Sequence, residues 1–307
     1  MIRIIILLLL LFPALHAGAA VPTDPADESL SVFDNEIKNI VQASMLASSD
    51  LGKITWSLWS AFAFLLVFST VAMYMFNVAN LVDVLFTILA IFASLICMNM
   101  YDSLTSWIWS GFDAVGFAVQ KTALSNTDPY FMAIYVHEAF AMVELDSVDI
   151  FDALGTIMWY ALFIVLGTIL QIMMYIGASW AMWGYALAKI VGFFFVPFML
   201  LKATRNIFDG WFKLFMGFVI YNMLIRIVMV LFCVFIKATL GHPSAKIVMP
   251  ADSSPELITL VIFMVTGILL TISVSGFAAI VAGGFTSPSA AYASIARLSS
   301  GMLKGKG

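Results

Sequence analysis

The sequence predicts an all-α fold, a polytopic bundle of transmembrane helices, and three observations carry that prediction. Hydrophobic residues make up 63% of the 307 and charged ones only 10%, with a mean hydropathy of +1.05; a soluble domain carries about a quarter charged residues. The apolar residues gather into six segments of about the twenty residues that a helix needs to cross a hydrocarbon core of ~30 Å. All eight tryptophans (Trp56, Trp59, Trp107, Trp109, Trp159, Trp180, Trp183 and Trp211) fall at or near segment ends, where indole meets the headgroup layer. Lipid offers no partner to a bare amide, so helices are the form such segments take.

In chain order, residues 1–20 combine Arg3, an apolar run, Pro13 and small residues near Ala17 to Ala20. This is a signal-peptide pattern, with an uncleaved first anchor as the other reading. Either way the segment 21–53 begins outside the cytoplasm, and it is expected to end in a short amphipathic helix. The apolar segments lie at 54–76, 78–100, 153–176, 181–201, 212–236 and 257–282. The first two make a transmembrane hairpin over 54–100; the other four belong to a transmembrane core over 153–282. Between them, the insert 101–152 holds Asp102, Asp113, Asp128, Glu138, Glu144, Asp146, Asp149 and Asp152 against Lys121 alone. Its apolar stripes predict a helical, packed insert, and the topology places it in the periplasm. The tail 283–307 carries Arg297, Lys304 and Lys306 and no acid.

Basic residues of short loops collect on the cytoplasmic side. Lys202, Arg205 and Lys213, with Trp211 among them, therefore place 202–213 inside as a topology anchor, and the tail inside as well. Passing from an external residue 152 to an internal residue 202 takes an odd number of crossings, yet two apolar segments lie between. The segment 178–201 contains Lys189, Gly184, Gly192 and Pro197, and a central lysine costs about 2.5–3.5 kcal/mol on insertion scales. The expectation is five crossings plus one bent or re-entrant element there; six spans is the alternative.

Function classes narrow by what is missing. The sequence has no phosphate-binding GxxxxGK[ST] loop and no HExxH, CxxC or GxSxG. Its histidines, His16, His137 and His242, do not cluster, so no catalytic, metal or cofactor site is expected. A net charge of −4 argues against a dedicated nucleic-acid binder. Cys97 and Cys233 lie inside apolar runs and read as small hydrophobes.

Asp83, Lys189 and Arg226 are the ionisable residues within or near apolar segments. Such residues face a bundle interior, an interface or an aqueous path rather than lipid. One reading has Lys189 and Arg226 line a conduit or subunit contact; the other has Asp83 pair with either base inside the bundle. Two strips of small residues, Gly184, Ala188 and Gly192, then Ser275, Ala279 and Gly283, allow close helix packing, within a subunit or between subunits.

The glycine-rich run GASWAMWGYALAKIVGFFFVP leads into KATRNIFDGW and then a long apolar helix. Over about 150–235, with Thr204-Arg205, Phe208 and Trp211 as its marks, the chain resembles the TrbL-type family, the sixth VirB component family: polytopic inner-membrane subunits of type IV secretion systems. The apparent sixth apolar segment departs from the simplest family picture. The resemblance implies a non-enzymatic structural and translocation subunit that supports pilus assembly and export of DNA or protein. It also implies several copies around an axis, and as partners a minor pilin, the major pilin, the secretion ATPases and a bitopic scaffold subunit. With a net charge of −7, the insert would keep any contact with exported DNA transient. The rival from another class is a standalone secondary transporter or channel, which would show matched broken helices in two halves.

Overall fold

The computed structural model describes residues 25–125, 143–145, 153–240, 247–249 and 255–284; the signal peptide expected at 1–20 and, from residue 285 on, the expected basic tail lie outside the described residues. Seven α-helices account for nearly all of them: α1 (Pro25–Met45), α2 (Asp50–Met75), α3 (Leu81–Asn99), α4 (Tyr101–Leu124), α5 (Ala153–Phe195), α6 (Arg205–Leu240) and α7 (Pro255–Gly283). One short ribbon, β1 (Val143–Leu145) paired in parallel with β2 (Ile247–Met249), ties the segment before α5 to the link after α6. Among the described residues five helices are long and apolar enough to cross a membrane: α2, α3, α5, α6 and α7. The all-α class and the number of helices fit to cross a membrane agree with the sequence prediction.

Local chemistry sets the helix ends. Ser49 caps α2, its hydroxyl accepting from the Gly52 amide at 2.9 Å. The turn into α3 passes through Asn77 at φ 57°, a left-handed conformation that asparagine tolerates. Asn80 and Asp83 then form a capping box, with the Asn80 amide donating to Asp83 Oδ2 at 2.9 Å; such a box satisfies amides that have no partner inside the helix. Thr70 and Thr87 share a 3.0 Å hydrogen bond, and Trp59 Nε1 donates to Ser94 Oγ at 2.9 Å, closing the α2–α3 hairpin. A single residue, Met100, separates α3 from α4.

The separate bent element expected at 178–201 is not present. Residues 153–176 and 181–195 lie in one helix, α5, continuous for 43 residues, or about 64 Å at 1.5 Å per residue. It ends in a 3-10 turn, Val196–Met199, with Pro197 in its first turn, where a missing amide hydrogen does no harm. The glycines that marked a break instead admit rings: Gly184 lies under Phe218 and Gly192 under Trp211, where an added Cβ would overlap the ring.

At the centre is α6, packed by α4, α5 and α7. In its most apolar window 61% of residues are buried, against 6% for α2 and 11% for α3. The hairpin therefore presents its apolar side chains outward while α6 forms the core. Gly217 lies beside Ala282, and Gly267 lies beside Phe232. Arg226 thus falls midway along the α6–α7 pairing.

Candidate functional site

The buried charges meet on α4. Asp102, Ser106, Trp109, Asp113, Gly116 and Gln120 follow one another at steps of four and three, so they share one helix face. That face turns toward α5 and α6. Lys189 Nζ of α5 lies 2.5 Å from Asp102 Oδ1 and donates to Ser106 Oγ at 2.8 Å. Arg226 of α6 reaches Asp113 Oδ1 at 3.0 Å through Nη2 and Gln120 Oε1 at 3.1 Å through Nη1. Asn222, one turn before Arg226, donates to the same Asp113 oxygen at 2.7 Å. The Arg226 guanidinium also lies over the Phe117 ring, 3.9 Å from its centroid.

Burial makes these contacts matter. Side-chain exposure is 7% for Lys189 and 9% for Arg226; Asp113 has 19%, whereas Asp102 has 50%. A charge held this deep must be paired or neutralised. Gly116 makes the Arg226 arrangement possible, since a Cβ there would come 2.8 Å from Arg226 Cδ.

Two side-chain bonds to α5 carbonyls hold the register. Tyr101 Oη donates to the Lys189 carbonyl at 2.8 Å, and Trp211 Nε1 donates to the Ala188 carbonyl at 2.7 Å. Tyr101 begins α4, outside the five apolar helices; burial foremost, then Tyr185 and Asp102, push its hydroxyl pKa up, so it remains a donor. Trp109 packs on Tyr185 with centroids 4.1 Å apart.

Between α1, α4, α5 and α6 lies a cavity of about 500 Å³. Lys38, Ser106, Asp113, Lys189, Asn222 and Arg226 are among its polar lining residues, and Val41, Met182, Ile225 and Met229 are among its apolar ones. Among the described residues no three His, Cys, Asp or Glu side chains converge as a metal site.

The sequence-derived candidates divide. Lys189 and Arg226 come together with the site, whereas Asp83 does not: it is exposed and caps α3. The internal pair expected of Asp83 with Lys189 or Arg226 is replaced by Asp102 and Asp113, because Asp83 is engaged at its own helix start. Lys202 and Lys213 are exposed near the α5–α6 connection, and Arg205 Nε donates to the Met199 carbonyl at 3.5 Å. Trp211, expected at an interface, is 6% exposed and packs in the core. Gly184, Ala188 and Gly192 pack inside the subunit, while Ser275, Ala279 and Gly283 lie on the exposed side of α7. Sequence reasoning missed Asp102, Ser106, Asp113, Gln120, Asn222 and Lys38 as site residues; the four-and-three spacing on α4 was the available signal for the first four.

A comparison with curated proteins found no match. The family described as TrbL/VirB6 plasmid conjugal transfer protein matches residues 79–274, a range that takes in α4, α5, α6 and every buried charge described above. The chain is a multi-pass inner-membrane component of conjugal transfer or type IV secretion machinery, and it belongs to the TrbL/VirB6 plasmid conjugal transfer protein family.

Proposed function

We propose that this chain acts as an assembly platform of the conjugation machine, seeding the pilus at the inner membrane, with a place beside the export path as its second role. One observation supports this most: each buried cation of α5 and α6 meets an acid of α4 in the same subunit. Pairs of this kind fix one arrangement of helices, as a platform requires. A conduit for DNA would instead leave cationic side chains free to face the passing phosphates.

In this reading the N-terminus is periplasmic and the tail cytoplasmic. Several copies surround an axis, and the insert 101–152, beyond the α4 face that packs on α6, faces the minor and major pilins. The basic turn at Lys202, Arg205 and Lys213 holds the cytoplasmic face near the secretion ATPases and the bitopic scaffold subunit. No chemistry is assigned to the chain itself.

The test is complementation of a deletion strain with Arg226→Leu, scoring plasmid transfer and pilus number together with complex size. Loss of pili and transfer, with the variant still inserted in the membrane, is the expected result. Normal pili and normal transfer would overturn the platform role. Reconstitution alone addresses the rival: if purified protein in vesicles moves solutes unaided, it is a standalone transporter or channel.

A further inference from the structure

Helix α4 is not one of the five apolar spans, yet it packs along α6, which is. The depth of that packing can be read from α7. Gly217 lies beside Ala282 and Phe232 beside Gly267, so Arg226 falls near the middle of the α6–α7 pair, and Gly116 of α4 lies against it. The Asp113–Arg226 ion pair therefore sits at mid-span of two membrane-crossing helices. Charged groups at such depth face one another, the bundle interior or water rather than lipid.

The cavity beside the pair is suited to water. All four of its helices bring polar groups to it: Gln42 of α1, Ser110 and Asp113 of α4, Lys189 of α5, and Asn222 and Arg226 of α6. A volume of about 500 Å³ leaves room for on the order of ten waters at ~30 Å³ each. Apolar cavities stay dry, whereas a roomy one with several polar partners holds water. Among the described residues, Asn222 and Arg226 both bond Asp113 at Oδ1. A carboxylate offers about four acceptor sites, so the ion pair leaves Asp113 with capacity for solvent.

Exposure locates the entrance. Lys38 and Gln42 of α1 and Ser110 of α4 line the cavity and are exposed, whereas Lys189, Asn222 and Arg226 are buried. The opening therefore lies between α1 and α4, and its rim is polar.

We infer that this cavity is an aqueous crevice, filled with water and open to small hydrophilic solutes, which enters between α1 and α4 and carries solvent to the Asp113–Arg226 pair at mid-span. The crevice is independent of the platform role, since it concerns how the bundle solvates its own charges.

The experiment labels single cysteines in the full chain, with Cys97 and Cys233 replaced by alanine, in lipid nanodiscs. The probe is iodoacetamide, small, neutral and hydrophilic, and the readout is the mass of the intact chain. Ala178 lines the cavity beside Gly177, which packs on Ile225 and Met229; Ile176 lies at the same depth of α5, is 53% exposed and is not part of the lining. The thiolate is the reactive form, and burial away from water suppresses it. Ala178→Cys should therefore be alkylated, as should Ser110→Cys at the entrance, whereas Ile176→Cys should stay unmodified in the folded chain. Adding Ser110→Trp, at an exposed position, to Ala178→Cys should cause loss of labelling at 178 while the circular dichroism spectrum is kept. No reaction at 178 would overturn the crevice, even if 110 reacts. Reaction at 176 as well as 178 would overturn the mid-span placement, and labelling at 178 unchanged by Ser110→Trp would overturn the entrance.

Discussion

Asp113 and Arg226 stand 113 positions apart in sequence and 3.0 Å apart in space. Their contact places the first helix of the acidic insert against the middle of the core helix. Removing one member of a buried pair leaves the other uncompensated, at about 3–5 kcal/mol. Arg226→Leu should therefore destabilise the full chain by that amount in detergent unfolding. The double variant Asp113→Leu with Arg226→Met should recover much of the loss, since apolar replacements of both partners are often tolerated. Equal destabilisation in single and double variants would show that the pairing is not what holds α4 in place.

Glycines of similar helical setting should respond in opposite directions. At Gly192 an added methyl meets the Trp211 ring, while at Gly111 nothing lies within 4 Å. Gly192→Ala should lower stability by about 1–3 kcal/mol through overpacking. Gly111→Ala should raise it by up to about 1 kcal/mol through helix propensity. Thermal unfolding of the two variants side by side checks the sign.

Orientation can be read by labelling in a background with Cys97 and Cys233 replaced by alanine. A cysteine at Ser125 should react with an impermeant reagent from the periplasm. Cysteines at Lys202 and Ser300 should react only after the inner membrane is opened. Reaction at position 202 from outside would reverse the proposed topology.

Ser275 and Ala279 lie on the exposed side of α7, so a large side chain there should spare the fold of the subunit. Ala279→Trp is expected to leave the unfolding free energy within about 0.5 kcal/mol of the parent. If copies of the chain pack through this face, the same variant should shift the complex to a smaller size in gel filtration. An unchanged size would remove this strip from the subunit contact.

Much of the fold was legible because hydropathy is a coarse and strong signal. The segments 54–76 and 78–100 became α2 and α3 with only small changes at their ends. Lys189 and Arg226 were recognisable as residues that lipid would not accept. Their partners were not, because Asp102 and Asp113 lie beyond an apolar segment, in a stretch whose many acids read as solvated. Only the helical phase of α4 shows that two of those acids lie on the side turned toward α5 and α6. The break expected near Gly184 and Gly192 failed for a related reason. Glycine loosens a helix in isolation, but here each glycine is the socket for an aromatic ring of α6.

The length of α5 carries a last consequence. Fitting about 64 Å of helix into a hydrocarbon layer of ~30 Å would take an inclination of about 60°, well outside the 0–40° seen for membrane helices. This rod must project beyond the lipid at one end or both, taking side chains such as Trp180, Trp183 and Leu187, each about half exposed, toward or past the boundary. Hydrophobic mismatch on that scale is relieved by neighbouring protein more readily than by bending a bilayer, so the isolated chain should be a poor guest in any membrane until the rest of its machine surrounds it.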